Sequence, residues 1–194
     1  MVEVQVKRTI EVMAPTPEIK PRPVATVGVD ARLVLEDGTE FTGECFGHPE
    51  STSGEVVFTT GMVGYPETLT DPSYFGQIIV CTYPLIGNYG VPADAIDADG
   101  MDERLESWKI HAKGLVVADY SRKYSHWEAR RSLDQWLREQ GITAITGIDT
   151  RRLTILLRER GSMLGKIEVQ GKEVAQYDPN HESLGPRVSV SAPK

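Results

Sequence analysis

Apolar and polar residues alternate through ARLVLEDGTEFTGECFG (31–47), where Leu33 and Leu35 share one face and Phe41 lies beyond Asp37-Gly38. An Asp-Gly pair between two period-two runs predicts a β-hairpin. Glu55–Thr59 (EVVFT), Gln77–Tyr83 (QIIVCTY) and Ala112–Ala118 (AKGLVVA) predict further strands, and the β-branched apolar run of the second predicts burial on both faces. The period then lengthens. Leu133, Trp136 and Leu137 share one helical face in LDQWLREQ, with Ser132 as cap, Gln135 at the capping-box position and Gly141 as stop. TRRLTILLRER (150–160) follows, capped by Asp149, with Leu153, Leu156 and Leu157 as its stripe and Gly161 as its stop. Met163–Val169 predicts a closing strand. Strands first and helices later argue for an α+β fold, a mixed sheet with helices on one side, rather than a doubly wound repeat.

The flanks read differently. Residues 1–29 carry Pro15, Pro17, Pro21 and Pro23, each lacking a backbone donor and disfavouring helix before it, so a flexible N-terminal extension is expected. The folded unit is expected over 30–170. Residues 171–194 read as a C-terminal tail, because Pro179, Gly185, Pro186 and Pro193 interrupt any period.

Composition narrows the classes. Hydrophobic residues make up 40% and charged residues 25% of the 194, as in an ordinary soluble domain. A formal net charge of -7 argues against nucleic acid, whose phosphates need a basic face, and against anionic membrane surfaces. No apolar run approaches the ~20 residues that span a bilayer. The N-terminus lacks a secretory apolar region, and its Glu3, Glu11 and Glu18 with no serine are unlike a mitochondrial transit peptide. A cytoplasmic location is the expectation.

The usual catalytic constellations are missing. His48, His111, His126 and His181 have no metal-ligand spacing. The stretch Gly161-Ser-Met-Leu-Gly165-Lys166 resembles a phosphate loop but is one residue short, lacks the following Ser/Thr, and comes after a helix instead of before one. A helix stop followed by a strand explains it. Cys81 lies inside an apolar strand, where desolvation suppresses the thiolate, and Cys45 lies within a hairpin arm instead of at a sharp strand-to-helix elbow. Both read as structural.

Two loops hold more interest. GMVGYPETLTDPSYFG (61–76) is long for a compact domain, and such loops often carry binding groups. Within it Asp71-Pro72-Ser73-Tyr74 is a strong turn signal. Ser73 and Asp71 either satisfy turn backbone only or present polar groups to a ligand. YPLIGNYGVP (83–92) offers backbone amides near two glycines. Arg151-Arg152 in a first helical turn opposes the macrodipole, so either Asp149 compensates or an acidic partner surface does.

Four ordered motifs, LVLEDGTEFTGECFG, GEVVFTTGMVGYPETLTDPSY, TYPLIGNYG and GIDTRRLTILLRERGSMLGKI, resemble the N-terminal domain of the carbamoyl-phosphate synthase small subunit over roughly residues 31–169. The tail YDPNHESLGPRVSVS resembles that domain's end. The stretch VPADAIDADGMDERLESWKIH (91–111) is more like the eukaryotic multifunctional pyrimidine enzyme than the bacterial subunit. The resemblance implies a layered β/β/α domain that is itself non-catalytic. It also implies two partners, a class I glutamine amidotransferase domain and the synthetase large subunit or domain, with glutamine at the domain boundary. No cofactor is implied here; ATP, magnesium and bicarbonate belong to the synthetase. The spelling of the amidotransferase elbow, Gly-x-Cys-x-Gly, occurs at Gly43-Glu44-Cys45-Phe46-Gly47, but inside a predicted hairpin arm and not at the strand-to-helix turn an elbow needs, so it is not read as one. One residue carries over: Ser73, the serine of the family's TDPSY motif, contacts glutamine, a role that suits a hydroxyl able both to donate and to accept. A pure interaction module, with Ser73 doing only turn work, is the competing reading. Pyrimidine synthesis is the expected pathway, and the arginine pathway is its alternative.

Overall fold

The hairpin forms where the alternation placed it. In the computed structural model, which describes residues 28–93, 95–97 and 102–189, β1 (Val29–Leu35) and β2 (Glu40–Gly47) pair antiparallel with Leu33 opposite Phe41. Asp37 Oδ1 accepts the Thr39 N–H at 2.9 Å, and Gly38 takes φ +84°, a conformation that costs glycine nothing. There follow β3 (Thr52–Thr59), α1 (Tyr65–Thr70), β4 (Gln77–Cys81), β5 (Leu85–Ile86), β6 (Val91–Pro92), β7 (Gly114–Val116), β8 (Asp119–Tyr120) and β9 (Ala129–Arg131). The chain continues as α2 (Leu133–Glu139), β10 (Thr143–Thr146), α3 (Thr150–Arg160), β11 (Met163–Val169) and α4 (Gly185–Val188). Single 3-10 turns lie at Pro72–Tyr74 and Pro179–His181.

Seven strands close into a barrel in the order β1-β11-β3-β4-β7-β10-β2. The seams from β3 through β4 and β7 to β10 are parallel, and the others are antiparallel. The class is α+β, as the order of elements predicted, and the sheet is mixed. Its closure was not legible. The β5–β8 and β6–β9 pairs form two small sheets beside it.

Alternation sorts side chains into two apolar clusters. Leu33, Leu35, Phe41, Val56, Ile78, Val80, Val116, Ile145 and Ile167 make one, joined by Leu153 and Leu157 of α3. Ile79, Cys81, Leu115, Val117 and Ala144 make the other, covered by Tyr65 and Leu69 of α1 and by Leu133, Trp136 and Leu137 of α2. β4 is therefore buried on both faces, with Ile78, Ile79 and Val80 fully inaccessible. Each such side chain contributes about 1.5–3 kcal/mol of burial. α3 serves the first cluster and α1 and α2 the second.

Close approach of backbones needs small residues at several strand positions. A Cβ on Gly54 in β3 would press on the carbonyl oxygen of Gly76, which is backbone and cannot swing aside. Gly54→Ala is expected to cost about 1–3 kcal/mol, as overpacking does, read as a lower midpoint in chemical denaturation.

Of the expected extension, residues 1–27 lie outside the described residues, and Val29 already belongs to β1. Beyond β11 the tail runs across the barrel before α4. Ser51 and Ser53 donate to the carbonyls of Lys172 and Ala175 at 2.7 and 2.8 Å, and Lys113 Nζ sits 5.3 Å from the centre of the Tyr177 ring. Residues 190–194 of the tail are not described.

Candidate functional site

The long loop between β3 and β4 is not irregular throughout. Gly64, at φ +83°, introduces α1, and Pro66 fills an early position where a missing N–H costs nothing. No local side chain caps this helix. The Tyr89 hydroxyl does so from the other loop, accepting the N–H groups of Gly64 at 2.8 Å and Tyr65 at 3.2 Å. The Tyr65 and Tyr89 rings stack 4.3 Å apart, and the Tyr65 hydroxyl donates to the Gly90 carbonyl at 2.6 Å. Burial pushes both phenols up from their ordinary range, so they stay neutral hydrogen-bonding groups. The two loops singled out in the sequence thus form one stapled unit.

α1 runs directly into the Asp71–Tyr74 turn. Asp71 Oδ1 accepts the Ser73 N–H at 2.8 Å, and the Asp71 carbonyl accepts that of Tyr74 at 3.1 Å. Thr70, fully buried, anchors the junction. Its hydroxyl donates to the Pro66 carbonyl at 2.9 Å and accepts the Glu106 N–H at 3.1 Å, while Ser107 Oγ donates to its carbonyl at 2.8 Å. The segment after the GNYG loop therefore braces the turn from behind, a role that sequence reasoning missed because both bonds join residues far apart in the chain. Ser73 itself is exposed, and its hydroxyl bonds to no described residue. The turn uses its amide and leaves Oγ facing solvent.

The tail passes this turn. A Cβ on Gly76, at φ +83°, would lie 2.9 Å from Cβ of Pro179 and 3.4 Å from the Tyr177 ring. The chain thus leaves the barrel within van der Waals reach of the residue that follows Tyr74 and Phe75.

A groove of about 800 Å³ opens at the opposite end of α1, lined by Gly64, Glu67, Tyr89, Arg104, Glu106 and Glu128 among others. Ser73 does not line it. The groove's charged lining is mixed, with Arg104 3.4 Å from the Glu128 carboxylate.

The other candidate groups settle into structural roles. Cys45 and Cys81 are buried, and desolvation pushes their thiols up to about 11 and about 12, far from the thiolate a nucleophile needs. Among the described residues no group of three or more His, Cys, Asp or Glu could hold a metal ion, and no helix is long and apolar enough to cross a membrane. Gly161, φ +88°, ends α3 and β11 begins two residues later. Asp149 Oδ1 caps that helix through the Arg152 N–H at 2.9 Å, and the Arg152 guanidinium lies 5.5 Å from the centre of the Phe41 ring. Asp149 thus provides a local acid at this helix start, and Arg151 and Arg152 are both exposed.

The family model for the carbamoyl-phosphate synthase small chain, CPSase domain, matches residues 33–167. Multifunctional protein CAD of Squalus acanthias is 53% identical over 167 residues, covering 84% of this chain and 7% of that protein. The mitochondrial carbamoyl-phosphate synthase [ammonia] of Homo sapiens is 52% identical over 161 residues, covering 82% and 11%. The carbamoyl phosphate synthase arginine-specific small chain of Phaeosphaeria nodorum is 47% identical over 184 residues, covering 92% and 38%. The chain spans well under half the length of each of these relatives.

Proposed function

The chain belongs to the carbamoyl-phosphate synthase small-chain family, and on that premise we propose that it is the non-catalytic domain that completes the glutamine site of the synthase. In this reading Ser73 offers its hydroxyl to the amino-acid end of glutamine. A class I amidotransferase domain supplies the nucleophile, and a synthetase large subunit or domain consumes the ammonia with ATP, magnesium and bicarbonate. The observation that carries the reading is the braced turn, which spends the Ser73 amide on Asp71 and keeps the hydroxyl free. The tail's passage beside Gly76, three residues beyond Ser73, supports it, since it brings the chain's C-terminal part past the turn.

A second reading has its own observation. A relative whose name specifies ammonia keeps this domain at 52% identity, as expected if the domain serves chiefly as an interface between larger parts. The pathway proposal is cytoplasmic pyrimidine synthesis, resting on the resemblance of residues 91–111 to the multifunctional pyrimidine enzyme; the arginine-specific relative favours the arginine pathway.

Glutamine hydrolysis tests the central claim. The chain alone is expected to release no ammonia, and its addition to a separately prepared amidotransferase domain is expected to restore or tighten glutamine use. Ammonia release by the chain alone at an enzymatic rate would overturn the non-catalytic assignment.

A further inference from the structure

His111 is 7% exposed, and its Nδ1 meets no hydrogen-bond partner among the described residues. Its backbone N–H donates to the Leu69 carbonyl of α1 at 2.9 Å. Its ring meets the edge of Phe75, with centroids 6.3 Å apart. Leu69 and Phe75 are the residues that bracket the Thr70–Tyr74 junction, so the imidazole is lodged behind the turn that presents Ser73.

We propose that His111 is a positioning residue for the Ser73 turn, acting as a neutral wedge between the end of α1 and Phe75. This rests on the reading of Ser73 as a glutamine contact. Leu69 and Phe75 bring no charge to the imidazole; the charged groups facing it are Asp71 from the turn and Lys109 from its own segment. Protonation would set a second cation near the Lys109 ammonium in a poorly solvated place. The one group able to stabilise it is the Asp71 carboxylate, which already holds the Ser73 N–H. An imidazolium there competes for that carboxylate and loosens the turn. Burial, followed by Lys109, lowers the imidazole's proton affinity below its ordinary value of 6.5, and Asp71 opposes them more weakly. The folded chain therefore binds fewer protons than the unfolded chain in this range. The stability from the neutral ring is complete above about pH 6.5 and is lost as pH falls through the lower folded value.

The test uses a complete glutamine-dependent synthase carrying this chain, assayed with glutamine and separately with ammonia. The wild type is expected to show a KM for glutamine that rises below about pH 6.5, with no matching change in ammonia-driven synthesis. His111→Gln is expected to raise that KM about tenfold at neutral pH, leave kcat little changed and flatten the acid limb. Ser73→Ala is run alongside. If it raises KM while His111→Gln changes neither KM nor the acid limb, the wedge is wrong and the Ser73 contact stands. If Ser73→Ala has no effect, the contact reading itself fails. Should the His111 variant not fold, NMR on the unmodified chain decides: the His111 ring and the Ser73 amide are expected to titrate with one midpoint below 6.5, and independent titration overturns the proposal.

Discussion

Alanine at Ser73 is expected to raise the glutamine requirement of a complete synthase about 10- to 100-fold, the equivalent of losing a hydrogen bond to a charged group at ~1.5–3 kcal/mol. Ammonia-driven synthesis is expected to be unchanged, because that route does not pass through the glutamine site. The structure makes the substitution a clean one. Ser73 contributes its amide to the turn, and alanine keeps that amide. The hydroxyl bonds nothing described in the chain and is exposed, so its removal leaves no buried group unsatisfied. Ser73→Thr keeps the hydroxyl and is expected to fall between the two. Steady-state KM for glutamine, with the melting temperature of the isolated chain as control, is the measurement. An unchanged KM favours the interface reading.

Trp136→Ala is expected to cost about 3–5 kcal/mol of folding stability, against a total of about 5–15 kcal/mol for an ordinary domain. Trp136 is 1% exposed and belongs to the cluster between α2 and the barrel wall. The Arg131 guanidinium also lies 5.8 Å from the centre of its ring. Truncation leaves a cavity between a seven-residue helix and a rigid closed sheet, and the sheet has little freedom to collapse into it. Urea denaturation of the isolated chain measures the loss, with Trp136→Phe as a milder comparison. A loss under about 1 kcal/mol would mean that α2 repacks freely.

What could be read from the sequence was mainly what short stretches decide. Asp37-Gly38 predicted its hairpin because the turn conformation is a property of those two residues. Ser132 and Asp149 predicted helix starts, and both carboxyl or hydroxyl oxygens accept the expected amides, from Gln135 and Arg152. The capping box at α2 forms only one of its two bonds, since the Gln135 amide turns to Glu139. α1 escaped notice for a physical reason. It is six residues long inside a Gly- and Pro-rich loop, and its cap is a phenol from a different loop. Barrel closure escaped likewise, because the β7–β10 and β1–β11 seams join strands far apart in the sequence. Ser73 was singled out only through motif resemblance. Its turn was legible locally, but nothing near it distinguishes a free hydroxyl from one bonded to the backbone.

The seam between β1 and β11 has a mechanical side. Ala31 lies opposite Val169, and the Gln170 N–H reaches the Asp30 carbonyl at 2.9 Å, so the barrel strands begin and end at one corner. Tension applied across those two ends would load the rungs of the seam singly, as a zip opens, and not all together in shear. Under such tension the barrel would open along one line, and the tail beyond β11, held by Ser51 and Ser53, would take part of that load first.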